Sequence, residues 1–162
     1  MLSVNARFDE QAKVVTGLAP ITPSTSTPDY VSLKNYERLT VIVIGDNATT
    51  VTGSAITLKQ ATAVAGTAEK ALAFTRMAAN ADTATNDTLV ETAVTSNTFT
   101  TVATNNLNYM YIMDVEASDL DMDNGFDCVR AGTGDATATV LSVIYILWPK
   151  KYAGVDAIAT TD

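Results

Sequence analysis

Four aspartates fall within nine residues, at Asp119, Asp121, Asp123 and Asp127, and no other stretch gathers as many side chains with chemistry to offer. Two carboxylates can divide the acid and nucleophile roles of glycoside hydrolysis, and alternating carboxylates can ring a calcium ion. The segment Asp119-Leu120-Asp121-Met122-Asp123-Asn124-Gly125 opens like an EF-hand loop. The match then fails. The sixth position is Asn124 where glycine makes the sharp turn, the twelfth is Arg130 where a bidentate acid closes the site, and the flanks read as strands. Asp119, Asp121 and Asp123 remain as metal candidates on an incomplete pattern. The bland reading is an acidic turn in which Asp123-Asn124-Gly125 tolerates positive φ, and no bound metal is expected.

Other chemistry is sparse. The chain has no histidine, which removes the commonest general base, the usual triad partner and the commonest zinc ligand. Serine and threonine hydroxyls are abundant but none has a visible activating base, and no phosphate-cradling Gly-Lys-Thr/Ser loop or G-x-G-x-x-G run occurs. Tyr109, Tyr111, Tyr145 and Trp148 could line a sugar-binding face, though buried packing is the simpler role for most of them. The residues predict no catalytic site and no cofactor.

The elements that must position these side chains are strands. Residues 108–116 and 136–148 are rich in β-branched and aromatic residues, with a shorter strand expected at 126–130 between them. From Val140 to Trp148 only Ser142 is polar, so both faces of that strand need cover, from a second sheet, another subunit, or both. Further strands are expected at 30–33, 38–44, 54–60 and 70–77, and a hairpin of 88–94 with 98–102 about Ser96-Asn97. A helix over 67–79 competes, since Ala, Glu, Lys, Leu and Met favour one there. Short strands about ten residues apart, with turn signals between, indicate an all-β fold, a β-sandwich or jelly-roll-like single domain.

The domain is expected to run from 30 to 154. Residues 155–162 follow as a C-terminal tail, and residues 1–29 precede it as an extended Pro-rich N-terminal arm carrying three of the four prolines. Such an arm either floats or becomes ordered on a neighbouring subunit. Phe8, Pro20 and Pro23 on the arm, with Tyr145 and Trp148 on the last strand, are the candidate interface residues.

At 162 residues the chain can bury roughly 70% of its unfolded surface. Its net charge of −8 lies in the second part: residues 1–60 hold five basic and five acidic side chains, residues 61–162 five and thirteen. Nucleic-acid binding needs a clustered basic footprint, and Lys150 with Lys151 is too little. Single Cys128 fits a buried hydrophobe better than a reactive thiol. No secretory signal is visible, and no apolar run reaches the ~18 residues that would span a membrane.

Several stretches carry a resemblance: Tyr30-Val31-Ser32-Leu33-Lys34-Asn35-Tyr36, then Ile56 through Gly66 followed by Lys70-Ala71-Leu72, then Leu120-Asp121 ahead of Gly125-Phe126-Asp127-Cys128-Val129, and last Lys151-Tyr152-Ala153-Gly154. Together they resemble a family of small tailed-bacteriophage virion proteins, over most of residues 30–154. The resemblance implies a virion structural protein without enzymatic activity, most simply a head decoration or cement protein assembled in the host cytoplasm. Its implied partners are the major capsid protein of the shell and further copies of itself, as a homotrimer. The alternative is a tail or fibre module that binds host-surface carbohydrate.

Overall fold

The computed structural model describes residues 7–23 and 27–149. Eleven strands follow one another: β1 Lys13–Ile21, β2 Val31–Ser32, β3 Tyr36–Asn47, β4 Ala55–Ala61, β5 Lys70–Ala71, β6 Arg76–Asn80, β7 Val90–Ala93, β8 Thr98–Thr100, β9 Asn108–Glu116, β10 Cys128–Thr133 and β11 Thr139–Pro149. They form two antiparallel sheets, the larger in the order β1-β11-β3-β9-β6-β7 and the smaller in the order β2-β10-β4-β5, with β8 also paired to β4. The fold is all-β, a sandwich of two sheets about one core.

Alternation along the long strands builds that core. Leu39, Val41 and Val43 of β3, Tyr109, Tyr111, Met113 and Val115 of β9, and Leu141, Val143, Tyr145 and Leu147 of β11 point inward to meet Ile56, Leu58, Val129 and Ala131 of the smaller sheet. Two tyrosines use their hydroxyls as well as their rings. The Tyr145 hydroxyl accepts the backbone N–H of Ala131 at 3.0 Å, tying the two sheets, and that of Tyr111 accepts the N–H of Val102 at 2.8 Å. Burial pushes the pKa of both phenols up, so both stay protonated. Inward glycines make room for the rings. A Cβ on Gly17 would lie 2.3 Å from Tyr145, and one on Gly45 would lie 2.2 Å from the ring of Tyr109.

The chain changes sheet at nearly every connection, and this explains where sequence reading went astray. Residues 88–94 and 98–102 do not pair as a hairpin. β7 joins β6 in the larger sheet, while β8 crosses to β4 in the smaller one. Between them Ser96 accepts the N–H of Phe74, and Asn97 takes the N–H of Leu58 on its carbonyl and donates its side-chain amide to the Leu58 carbonyl at 3.2 Å. That clamp on β4, rather than a turn, is what Ser96-Asn97 provides. The expected strand 70–77 is interrupted: β5 ends at Ala71 and β6 begins at Arg76, so Leu72 and Phe74 reach the core from a crossing segment. The competing helix over 67–79 does not form. The strand expected at 126–130 lies at Cys128–Thr133, and it pairs with β4 and β2 rather than with β9 or β11.

Part of the expected arm is sheet. Residues 13–21 form β1, an edge strand paired with β11 from Lys13↔Leu147 to Ile21↔Leu141 with two bulges. Ala12, Leu18 and Pro23 are buried, and Asp29 donates its N–H to the Gly17 carbonyl. The prolines that signalled an arm sit where an edge strand tolerates them: Pro20 is near the end of β1, where no ladder hydrogen bond is required of it. The expected tail, residues 155–162, and the end of the expected domain lie outside the described residues.

Candidate functional site

The inward half of every long strand is spent on the core, so the outward half decides what the molecule can do. On β11 the outward residues are Val140, Ser142, Ile144, Ile146 and Trp148; on β3 they are Arg38, Thr40, Ile42, Ile44 and Asp46; on β9 they are Asn108, Met110, Ile112, Asp114 and Glu116. The registers align these into rows across the sheet. One row runs Thr16, Ile144, Ile42, Ile112, Ala78 over five strands, and its neighbour runs Ser142, Ile44, Met110. Val14 stands beside Ile146 on the next row. Val14, Ile44 and Val140 are 52%, 42% and 45% exposed, and the isoleucines at the centre are half-buried by one another. Among the described residues no third layer covers this face. Contiguous apolar surface of this kind marks contact with another macromolecule more often than it marks chemistry.

One end of the face is elaborated. Trp148 takes the guanidinium of Arg38 over its ring at 5.3 Å, receives the edge of Phe8 at 6.1 Å between centroids, and donates its indole N–H to Thr40 Oγ1 at 3.0 Å. Thr40 in turn donates to Asp114 at 2.5 Å. The chain of bonds fixes the indole in place and leaves it partly exposed. Phe8 is itself 47% exposed, and Trp148 beneath it is partly exposed.

Of the interface candidates, the structure brings Phe8 and Trp148 together on this face and leaves Pro20 exposed near the end of β1. Tyr145 and Pro23 are corrections. Tyr145 is 0% exposed at the centre of the core and Pro23 is buried, so neither presents a contact surface. Strand periodicity explains the error for Tyr145: in an unbroken apolar run, parity alone tells inward from outward, and the sequence does not say which parity is which. The same ambiguity hid Ile42, Ile44, Ile112 and Ile144. The signal was present in runs apolar at consecutive positions, Val41-Ile42-Val43-Ile44 and Val143 to Leu147.

The aspartates do not assemble into a ligand set. Asp119 accepts the N–H of Glu116 at 2.9 Å, closing a short 3-10 turn. Asp121 pairs with Lys70 and takes the Asn124 amide at 2.9 Å, and the Lys70 bond is the main reason its carboxyl is held below the usual range. Asp123 is exposed. Among the described residues no group of three His, Cys, Asp or Glu side chains could hold a metal ion. The turn does use positive φ, at Gly125. A shallow cleft of about 240 Å³ lies between Leu72, Phe74, Arg76, Asp114 and Asp119. It is smaller than usual ligand pockets, and the Asp114 and Asp119 carboxylates are already engaged.

The tyrosines of the possible sugar-binding face are core residues: Tyr109, Tyr111 and Tyr145 are all buried, leaving Trp148 alone at the surface. Cys128 is buried beside Tyr30 and Ala61, as a small hydrophobe would be.

No family model and no curated protein matches the chain. Among solved structures, the crystal structure of the SPBc2 prophage-derived protein YomS is similar, with 16% sequence identity, a TM-score of 0.47, and coverage of 84% of this chain and 92% of that one. A likeness at that level bears on neither function nor partner.

Proposed function

We propose that this chain is a non-enzymatic structural protein of a tailed-phage virion, a head decoration or cement protein that acts by occupying surface. The observation that carries the reading is the outward face of the larger sheet, where isoleucines of three strands share one row. Such a face gains free energy only when another protein covers it, at roughly 25 cal/mol for each Å² of apolar surface removed from water. The sequence resemblance to small phage virion proteins supports the same class. Decoration works by summing modest contacts over a symmetric lattice, so no single strong site is required. Partners on this reading are the major capsid protein and other copies of the chain.

Co-sedimentation with assembled heads tests it. Full-length protein is expected to sediment with heads in a saturable stoichiometry and to raise the temperature at which they open. Protein that stays in the supernatant at every head concentration overturns the reading. Removing residues 1–29 is a poor test of attachment, because it strips β1 from β11 and uncovers Tyr145. The tail or fibre reading called on exposed tyrosines and the acidic turn; Tyr109, Tyr111 and Tyr145 are buried, so it would have to work through Trp148 and the exposed part of that turn.

A further inference from the structure

The same three strands carry a symmetry that their composition alone does not suggest. On β3 the outward residues run from Arg38 to Asp46 with Ile42 midway; on β11 they run from Val140 to Trp148 with Ile144 midway; on β9 from Asn108 to Glu116 with Ile112 midway. The registers Trp148↔Arg38↔Glu116, Ile144↔Ile42↔Ile112 and Val140↔Asp46↔Asn108 place the two ends and the midpoint on three parallel rows. The patch therefore has an isoleucine row at its centre, a cation at one end of its middle strand and an anion at the other.

We infer that the partner of this face is a second copy of the same chain, laid face to face about a two-fold axis that runs along the Ile144-Ile42-Ile112 row. This rests on the proposed function for its choice of the larger sheet as the association face, and adds what covers it. Rotation about that axis keeps each strand over its own counterpart and reverses its direction. Arg38 then meets the partner's Asp46, Trp148 the partner's Val140, Glu116 the partner's Asn108, and each central isoleucine its own copy. The other in-plane axis, parallel to the strands, would set Arg38 against Arg38 and Asp46 against Asp46, and like charges opposed across an interface disfavour it. Charge thus selects one of the two orientations. An isologous contact needs a self-complementary patch of this kind, whereas a three-fold ring needs two different ones.

Size sets the expected strength. Eight residue steps along β3 span roughly 27 Å and the four strand spacings from β1 to β6 about 19 Å, a footprint of about 500 Å² for each partner. That is at the lower bound for a specific interface, so the dimer is expected to be concentration-dependent rather than permanent.

Sedimentation equilibrium on the full-length chain tests the inference. The natural protein is expected to pass from monomer to dimer as concentration rises. Ile42→Asp should weaken that step by about a hundredfold or more, and Arg38→Glu or Asp46→Lys alone by about tenfold, each placing like charges opposite one another twice in the dimer. The double reversal, Arg38→Glu with Asp46→Lys, should return to within about threefold of the natural protein, since it restores opposite charges at both contacts. Arg38 and Asp46 are exposed, so this cycle holds even if Ile42→Asp impairs folding. A chain that stays monomeric throughout, a trimer, or a double reversal no better than its parents overturns the inference. Binding of the same variants to heads is read separately: failure of all forms to bind heads sinks the proposed function and leaves the dimer standing, while head binding without any dimer does the reverse.

Discussion

On the outward face of the smaller sheet, Glu69 gathers Lys59, Arg130 and the hydroxyl of Tyr30, and Arg130 stacks on the Tyr30 ring at 4.7 Å; at the edge of that sheet Lys70, in register with buried Gln60, pairs with Asp121 and lies 4.0 Å from the centre of the Phe126 ring. On the outward face of the larger sheet, the equivalent central positions are Ile42, Ile44, Ile112 and Ile144. Both faces flank the same core and are made of strands with the same alternation. The smaller sheet satisfies its outward side chains within the monomer, by ion pairs and ring stacking. The larger sheet leaves apolar side chains that nothing in its own described chain can cover. The contrast teaches that in a sandwich the inward positions hold the fold together, and the outward positions record whether a sheet works alone.

The largest expected effect lies in the shared core and sets the scale for the rest. Tyr145→Ala removes a ring that fills the space above Gly17 and a hydroxyl that satisfies Ala131, and should cost about 3–5 kcal/mol in denaturant unfolding. Ile144→Ala, one residue earlier on the opposite face, should stay below about 1 kcal/mol when unfolding is followed at concentrations where the chain is monomeric. Equal losses at the two positions would mean that the outward face is already covered within one chain, and the contrast between the sheets would collapse.

Glycines sharpen the comparison at intermediate size. Gly45 lies inward on β3 beneath Tyr109, where a methyl group would stand 2.2 Å from ring carbon, so Gly45→Ala should cost about 1–3 kcal/mol as the ring is displaced from Thr139. Gly132 lies on the outward side of β10, where a methyl group would meet only the Thr57 carbonyl at 3.5 Å, an ordinary contact. Gly132→Ala should be neutral or stabilising by up to about 1 kcal/mol, through the unfolded chain's lost freedom. Melting curves of the two variants side by side decide it.

The sequence was most legible where length and alternation agreed. β3, β9 and β11 are long, branched and bounded by Gly, Asn and Asp, and the need for cover on both sides of residues 140–148 followed from one run of letters. It was least legible where pairing is not local. Ser96-Asn97 has the composition of a hairpin turn, yet its neighbours join different sheets because each finds a longer strand, β6 or β4, already in place. Proline content hid β1, since an edge strand and an arm make the same small demand for backbone donors. The apolar outward face was half visible: the runs showed too many apolar residues, and only the registers showed that the surplus from three strands falls on common rows.

The smallest effect belongs to the ion cluster and tests whether the smaller sheet is as self-contained as it looks. Hydrogen bonds from Lys59 and then from Tyr30 hold the Glu69 carboxyl below its ordinary value of 4.5, and desolvation, followed by the hydrogen bond to that carboxylate, raises Tyr30 to about 12. A carboxylate whose folded-state pKa is depressed contributes stability that is present above its unfolded pKa and is lost as pH falls through the folded one. Glu69→Gln should therefore cost up to about 1 kcal/mol at neutral pH, the cluster being partly screened by solvent. The gap between the natural protein and the variant should close as pH drops below 4.5. Tyr30 titrates too high to contribute in that range, so the closing gap reports the carboxylate alone. Because the cluster lies on the sheet opposite the isoleucine rows, Glu69→Gln should leave the monomer–dimer equilibrium unchanged. A variant that altered association as much as Ile42→Asp would show that the smaller sheet also needs a partner, and that the two faces differ only in the kind of contact they offer.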